Sequence, residues 1–308
     1  MAHKKMVKKS LLIIGIVIVV LAVIFVGCGG EGGWPVIEVQ TPPFETITFQ
    51  NGDVTLAGTL DLPAGEGPFP AIVTIHGSSP ATRNYIYNLY ISHFFVQHGY
   101  AVLRYDKRGI GESTGSFPSI GIEDGEAKLN DLADDALAGV KFLMNHDLID
   151  PNMVGLAGHS QAGWIIPLAA SKSPDVAFVI VSSGPTCSVG QEIYYSSLVE
   201  VDQGTETGIS LKEASDLARD YEGPHGFDPL ASLEKMDIPG IWLLGARDNS
   251  IPTPLVVEIL DSVKANHRKD FSYIVYPNKG HGWNDVDTDQ TYPVLSDALS
   301  WLGEKFGN

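Results

Sequence analysis

The sequence predicts an α/β protein in which a mostly parallel sheet is covered by helices on both faces. Short apolar runs of the kind found in buried strands alternate along the chain with longer segments of helical periodicity. One such run, 152–158, leads directly into a turn of small residues around Ser160 and then into an apolar helix. Two later apolar runs are followed by an aspartate and a histidine respectively. Together these features indicate one sheet with a reactive site at its edge.

The individual strands and helices follow from local patterns. Alternating apolar residues on both sides of Asn51-Gly52, a dipeptide typical of tight turns, predict a β-hairpin. Beyond it, continuous apolar runs predict buried strands, and apolar residues spaced by three or four predict helices. The predicted strands are 44–50, 54–62, 70–75, 100–105, 152–158, 176–181, 238–244 and 271–276. The predicted helices include 129–144, 254–265 and 295–306, together with one that places Ile86, Leu89, Tyr90 and Phe94 on a single face.

The interval between Gly184 and Met236 contains no convincing strand. Ser210-Leu211-Lys212-Glu213 is a capping box, which predicts a short helix that runs to about Arg219. We interpret residues 186–236 or so as a mainly helical cap inserted over the strand ends. The alternative is an ordered excursion without a role at the site, although connections of this length are more often functional.

The first 27 residues are predicted to be an export signal. Four lysines precede an apolar run over 11–26, which is long for a signal core and short for a membrane span of about 20 residues. The Gly27-Cys28 junction that follows resembles a prokaryotic lipobox, in which the cysteine is lipidated and becomes the new N-terminus. We therefore expect Cys28 to be lipidated, with an uncleaved signal anchor as the alternative.

Residues 28–43 are then a flexible Gly-rich linker, and residues 44–308 form the folded domain. Either fate of the signal places this domain outside the cytoplasmic membrane and tethered to it. The only other cysteine, Cys187, has no partner within the chain once Cys28 is lipidated, so no internal disulfide is expected. Cys187 is instead predicted to be a small buried residue.

The charge of the chain is strongly acidic. Its formal net charge is −17, and beyond the four lysines of the signal it carries 16 basic against 37 acidic residues. Such a domain repels nucleic acid and anionic lipid surfaces, so no nucleic-acid partner is expected. The nine histidines show no metal-ligand spacing, and neither a metal nor another cofactor is expected.

Three side chains suited to nucleophilic catalysis each follow a predicted strand: Ser160, Asp248 and His281. Because the carboxyl ends of parallel strands meet at one edge of a sheet, we expect them to lie together. Serine is a poor nucleophile until a base takes its proton, an imidazole can do so near neutral pH, and a carboxylate holds the imidazole in the required tautomer. Asp285 and Asp287 are alternative acids, and His159 is an alternative base that we expect to pack against a neighbouring loop instead.

The negative oxygen of a tetrahedral intermediate needs N–H donors that are already in place. The backbone N–H of Gln161, directly after the serine, is one expected donor. The second is expected from the His76-Gly77-Ser78 loop, through the N–H of Ser78. The full nucleophile-turn pattern has glycine two residues after the serine, where this chain has Ala162, and we treat that as a tolerated departure.

With these motifs the chain resembles the α/β-hydrolase superfamily, in particular bacterial esterase-like members. The motifs are His76-Gly77-Ser78, an Asp-x-Arg-Gly-x-Gly-x-Ser segment over 106–113, and Gly158-His159-Ser160-Gln161, followed by Asp248 and then His281. The similarity spans roughly residue 45 to the C-terminus. It implies the α/β-hydrolase fold, the triad Ser160–His281–Asp248 and a role for segment 106–113 at the rim of the site. Within that segment we interpret Arg108 as structural first.

The resemblance implies a serine hydrolase that cleaves carboxylic esters through an acyl-enzyme on Ser160, with a small-molecule ester as its partner. It also covers serine aminopeptidases and amidases, which cleave short peptides. An aminopeptidase needs a carboxylate to hold the substrate ammonium, and the region 190–235 carries ten acidic residues against three basic ones. A third hypothesis, from another functional class, is a non-catalytic envelope binding protein on the same fold.

Overall fold

A computed structural model describes residues 43–200 and 209–307. The predicted signal and Cys28 lie outside these residues. Within them, no helix combines the length and the apolar content that a bilayer crossing requires.

Eight strands form one sheet in the order β1-β2-β4-β3-β5-β6-β7-β8. Only β2 runs against its neighbours, β1 and β4, and every other pair is parallel. This confirms the predicted α/β-hydrolase fold with a mostly parallel sheet. The strands are β1 (Phe44–Asn51), β2 (Val54–Asp61), β3 (Phe69–Ile75), β4 (Ala101–Tyr105), β5 (Ile149–His159), β6 (Val179–Ser182), β7 (Gly240–Gly245) and β8 (Phe271–Tyr276).

In the described part of the chain, eight helices connect or cover these strands. They are α1 (Ile86–Gln97), α2 (Gly125–Met144), α3 (Ala162–Lys172), α4 (Val189–Glu200), α5 (Leu211–Arg219), α6 (Leu230–Lys235), α7 (Thr253–His267) and α8 (Val294–Phe306). Strands β3 to β8 therefore alternate with helices along the chain, as the apolar pattern predicts. The predicted boundaries agree with the observed ones to within a few residues.

The sheet buries apolar side chains on both faces because its central strands carry them at consecutive positions. Ile72 packs on one face with α1 and α8, and its neighbour Val73 packs on the other with α2, α3, α6 and α7. Successive strand residues point to opposite faces, so a continuous apolar run fills two cores at once. A sheet held on both faces gives its strand ends fixed positions, and the candidate site lies at those ends.

The insertion between β6 and β7 is helical in its described part. Helices α4 and α5 bury a small apolar cluster of their own, which includes Tyr195, Ala214 and the free thiol of Cys187. The predicted helix start at Ser210 is confirmed, since the Ser210 hydroxyl accepts from the backbone N–H of Glu213 at 3.2 Å before α5 begins. Helix α6 instead packs on α3 in the main core.

The apolar face predicted for helix α1 does not lie wholly in the core. Ile86, Leu89 and Tyr90 are exposed, and the residues that α1 buries are mainly Ile91, Phe95 and Val96. Ile86, Tyr90 and Phe94 do share a face, but that face lines a cleft beside His281. An apolar stripe therefore marks the wall of the candidate site here.

Candidate active site

Ser160 stands on a sharp turn between β5 and α3. Its φ is +62°, a left-handed conformation that costs a residue with a Cβ about 1–3 kcal/mol and persists only where the surroundings enforce it. Two backbone hydrogen bonds hold this conformation. The N–H of Ser160 donates to the carbonyl of Ser182 at 3.0 Å, and the carbonyl of Ser160 accepts from the N–H of Gly163 at 2.8 Å. The strained turn lifts the hydroxyl clear of the sheet.

Glycines let the backbone fold back this tightly. A Cβ on Gly158 would lie 2.7 Å from the carbonyl oxygen of Ile75, and a Cβ on Gly163 would lie 2.6 Å from the carbonyl carbon of Gly184. The close approach therefore falls at Gly163, one residue later than the usual motif has it. Ala162 is fully buried and faces Gly158, where a second Cβ would lie 2.5 Å from its own, so alanine fits at 162 because glycine stands at 158.

The three predicted side chains form one hydrogen-bonded chain. His281 Nε2 lies 3.0 Å from Ser160 Oγ, and His281 Nδ1 lies 3.1 Å from both carboxylate oxygens of Asp248. A carboxylate can only accept, so the imidazole carries its proton on Nδ1 and Nε2 accepts the serine O–H. This is the tautomer in which an imidazole can remove a proton from serine.

The loops after β7 and β8 hold the acid and the base. Asp248 is 1% exposed, and its Oδ1 accepts the N–H groups of Ser250 and Ile251, both at 2.9 Å. A Cβ on Gly245 would lie 2.6 Å from the carbonyl oxygen of Gly280. Only glycine at this position lets the second loop cross the first and bring His281 to Asp248.

The alternative acids occupy other positions. Asp285 accepts from the N–H groups of Asp287 and Thr288 in its own loop, at 3.0 and 2.9 Å. Asp287 lies 3.7 Å from Arg247. Within residues 43–200 and 209–307, Asp248 is the carboxylate that contacts His281.

The two other histidines of the motifs are buried. His159 stacks on Tyr87 with ring centroids 4.1 Å apart, and burial together with the nearby His281 holds its pKa well below the usual range. His76 donates from Nε2 to the carbonyl of Tyr105 at 2.6 Å, and burial lowers its pKa to about 3. Both rings are structural, whereas His281 is partly open to solvent.

Ser78 and Gln161 line a pocket of about 150 Å³ together with Ser160. Within the described part of the chain neither backbone N–H donates a hydrogen bond, so both are available to a ligand oxygen. Gln161 also precedes the first turn of α3, where the helix dipole favours negative charge. The other walls are Glu192 and the apolar side chains of Ile120, Trp164, Pro185, Val189, Ile193 and Ile251.

A much larger cleft, of about 1520 Å³, opens on the other side of His281. Its walls include Tyr87 and Trp283, whose rings meet edge to face at 5.0 Å, and the exposed face of α1. Sequence reasoning missed Tyr87 and Trp283 as site residues. The signal for Trp283 was its position two residues after His281, whereas Tyr87 lies in a helix whose orientation the sequence did not reveal.

The Asp106–Ser113 segment divides between two roles. Arg108 is buried and pairs with Asp135 of α2 through Nε and Nη2, both at 2.7 Å, so it is structural as predicted. Lys107, which sequence reasoning did not single out, is fully buried on the opposite side. Its Nζ donates to the carbonyl of Gly77 at 2.7 Å and to Gln161 Oε1 at 3.2 Å.

Comparison with known proteins supports the same class of molecule. The model of the prolyl oligopeptidase family matches residues 87–308. Human acyl-coenzyme A thioesterase 6 is 24% identical over 257 residues, which are 80% of this chain and 57% of the relative. Esterase EstD of Thermotoga maritima is 26% identical over 242 residues, which are 70% of this chain and 56% of the relative. The chain thus spans little more than half the length of these relatives.

A solved structure, an esterase from Pyrococcus furiosus, has the same fold. It superposes with a TM-score of 0.64 at 18% sequence identity and covers 89% of this chain and 94% of its own. At this identity the likeness establishes the architecture, and the chemistry has to be inferred from the residues at the strand ends.

Proposed function

The chain belongs to the prolyl oligopeptidase family of serine hydrolases, and from that premise we propose that it hydrolyses carboxylic esters through an acyl-enzyme on Ser160. The observation that carries the proposal is the hydrogen-bonded chain from Ser160 through His281 to Asp248. It supplies a nucleophile, a base in the required tautomer and a buried carboxylate that stabilises the protonated base.

The proposed reaction begins when His281 Nε2 removes the hydroxyl proton of Ser160 and Oγ attacks the ester carbonyl carbon. The carbonyl oxygen becomes negative and accepts from the N–H groups of Gln161 and Ser78. His281 then gives its proton to the alcohol oxygen as the C–O bond breaks, which leaves the acyl group on Ser160. Water, deprotonated by His281, attacks this acyl-enzyme, and the acid leaves as Oγ recovers the proton.

The two cavities support a division of the substrate. The alcohol oxygen must lie near His281 Nε2 to receive its proton, so the alcohol extends into the cleft of about 1520 Å³. The acyl chain extends away from it, into the pocket of about 150 Å³ that Ser160 and Gln161 line. A volume this small, with apolar side chains among its walls, suits a short acyl chain. The proposed substrates are therefore esters of a short acyl group with a larger, partly apolar alcohol.

Replacement of the nucleophile tests the reaction. Ser160→Ala should lower kcat by about 10⁶-fold, because base and acid then have no nucleophile to serve. The variant should also lose labelling by a fluorophosphonate while its circular dichroism spectrum is unchanged. Labelling that survives the substitution would place the nucleophile elsewhere.

A substrate panel tests the specificity. Chromogenic esters with acyl chains of two to about twelve carbons, assayed beside aminoacyl anilides, should show the highest kcat/KM for the shortest chains, because longer chains exceed the acyl pocket. A second series with a fixed acetyl group should favour bulkier aromatic alcohols. A preference for long acyl chains would contradict the division.

One observation favours a second candidate, an aminopeptidase or amidase. Of the ten acidic residues in 190–235, Glu192 lines the pocket beside Ser160, where a carboxylate could hold a substrate ammonium. Glu192→Gln, compared with the exposed control Glu222→Gln, discriminates between the candidates. A loss of anilide turnover confined to Glu192→Gln would establish the peptidase, and the absence of any anilide turnover by the wild type would exclude it.

We further propose that the domain is tethered outside the cytoplasmic membrane through a lipidated Cys28. The support is the sequence alone: the Gly27-Cys28 junction follows an apolar run of marginal spanning length. One acyl chain binds membranes only marginally, so a stable tether requires at least two chains. Metabolic labelling with a radioactive fatty acid should mark the wild type and not Cys28→Ala. An unlabelled wild type that keeps its first methionine would refute lipidation.

A further inference from the structure

Lys107 is a buried cation that none of the steps above uses. It follows Asp106 in the loop after β4, and its side chain has no exposed surface. Within residues 43–200 and 209–307 no carboxylate lies within 4.0 Å of its ammonium group. Its polar contacts are two neutral oxygens, the carbonyl of Gly77 and Oε1 of Gln161, and the ring of Phe117 lies 5.3 Å away.

The first contact determines the direction of a proposed oxyanion donor. The carbonyl of Gly77 and the N–H of Ser78 belong to the same peptide group. That peptide is trans, so its C=O and N–H point in opposite directions. A hydrogen bond from Lys107 to the oxygen therefore fixes the plane of the peptide and aims the Ser78 N–H away from the lysine.

The same contact strengthens that donor. A charged group on a carbonyl oxygen draws electron density from the N–H of the same peptide, and hydrogen bonds in such a series reinforce one another. The second contact holds the side chain of Gln161, whose own N–H is the other proposed donor. One ammonium group thus joins the two residues on which the oxyanion depends.

The two titratable groups near Lys107, His76 and Asp106, do not remove its charge. Burial lowers the pKa of Lys107 to about 8, so the group is mainly protonated at neutral pH. His76 stays neutral because its pKa is lowered to about 3. The carboxylate of Asp106 already accepts from the N–H of Arg83 at 2.7 Å and from the N–H of Glu112 at 2.9 Å.

We propose that Lys107 is a positioning residue for the oxyanion site, which orients and polarises the N–H donor of Ser78 and holds the side chain of Gln161 in place. This inference rests on the proposed ester hydrolysis, because it assigns a role in stabilising the negative oxygen that forms there. Lys107 itself touches no reacting atom. Its effect should therefore appear in the transition state and not in the binding of the neutral ester.

The test is Lys107→Met, which replaces the unbranched lysine stem by an apolar one a single atom shorter and removes the charge and the donors. With a short-chain chromogenic ester, kcat should fall by about 10- to 100-fold, below the 10²–10³-fold cost of losing a donor outright. KM should change little. The affinity for a trifluoromethyl ketone, which forms a negative tetrahedral adduct on Ser160, should fall by the same factor as kcat.

A second variant and two controls keep the outcome interpretable. Lys107→Gln retains a neutral donor and should lose less than Lys107→Met. Circular dichroism and urea unfolding establish that each variant is folded. An unchanged kcat, or a lower kcat with undiminished ketone affinity, in a folded variant would overturn the role. Ser160→Ala is run with the same ester, and if it matches the wild type then the proposed function fails whatever Lys107 does.

Discussion

Lys107 and Arg108 are adjacent in the chain and both buried, yet they face opposite sides of the loop after β4. Arg108 meets Asp135 and Asp131 of α2 at 2.7 and 2.8 Å. The polar contacts of Lys107 within the described residues are two neutral oxygens beside the candidate site. Burial lowers the pKa of both groups, but for Arg108 the two carboxylates outweigh burial and raise it, whereas the pKa of Lys107 falls to about 8.

The difference indicates what each charge contributes. A buried cation with permanent counter-charges stabilises the fold, because its attraction to them is complete before any substrate arrives. A buried charge without a permanent counter-charge is costly in the resting protein and favourable when an opposite charge forms nearby. Asp248 is the anionic counterpart, since its cation exists only after His281 has taken the serine proton.

The largest expected effect comes from removing the ion pair that Asp248 forms with His281 once His281 is protonated. Asp248→Asn should lower kcat by about 10⁴-fold, because the amide can donate to Nδ1 and so favours the wrong tautomer of His281. The unfolding free energy should change far less than the rate, since in the described residues no lysine or arginine lies within 4.0 Å of the Asp248 carboxylate. Ester kinetics and urea unfolding of the same sample measure both.

The matched variant for this test is Asp285→Asn, which alters a carboxylate of the neighbouring loop that accepts from Asp287 and Thr288. It should retain most of the activity. Equal losses from the two variants would mean that loop structure, and not the pair with His281, determines the rate.

The second-largest effect is expected from breaking the permanent ion pair between Arg108 and Asp135. Arg108→Met should lower the unfolding free energy by about 3–5 kcal/mol, because it leaves the fully buried carboxylate of Asp135 without a cation. The kcat of the molecules that remain folded should be unchanged. Denaturant unfolding and active-site titration with a fluorophosphonate separate the two quantities.

A double variant provides the control. Arg108→Met with Asp135→Leu removes both charges and should recover most of the lost stability, because an apolar pair of similar volume replaces the ion pair. A single variant that is as stable as the wild type would show that the pair contributes little. Lower kcat per titrated site would give Arg108 a role in the reaction.

Most of the fold could be predicted from the sequence, and so could the three hydrogen-bonded side chains of Ser160, His281 and Asp248. The reason is physical: buried strands need continuous apolar runs, and the chemistry of these three positions depends on the identity of the side chain. Strand ends also place such residues together without further information. The family match and the shared fold support the serine hydrolase class on which these predictions rest.

Other parts of the site could not be predicted from the sequence. Oxyanion donors are backbone N–H groups, which every residue except proline has, so the loop geometry and not the residue type selects them. Lys107 and Arg108 lie in one motif, and only the path of the chain turns one to the site and the other to α2. The apolar face of α1 also matched a core pattern, because a cleft wall and a core need the same side chains.

The smallest expected effect concerns a second buried lysine, Lys279, which precedes Gly280 and His281. It is fully buried, donates to Ser183 Oγ, and lies 3.4 Å from the carbonyl of Gly280. Burial lowers its pKa from 10.5 to about 8, although the charge of Asp248 acts in the opposite direction. Like Lys107 it has no carboxylate within 4.0 Å in the described residues, so its charge should be a cost to the fold at neutral pH.

This cost should vary with pH in a definite direction. Between pH 8 and pH 10.5 the unfolded chain holds the lysine proton and the folded chain has released it, so the unfolding free energy rises with pH. Relative to Lys279→Met, the wild type should therefore gain up to about 3 kcal/mol across this interval. Below pH 8 both states are protonated and the difference is constant. Urea unfolding from pH 7 to 10.5 measures it, with the exposed Lys212→Met as the control. A difference that stays flat would show that the folded protein holds the Lys279 proton as tightly as the unfolded chain does. The burial of Lys279 would then be compensated, and Lys279 would join Arg108 on the paired side of the comparison.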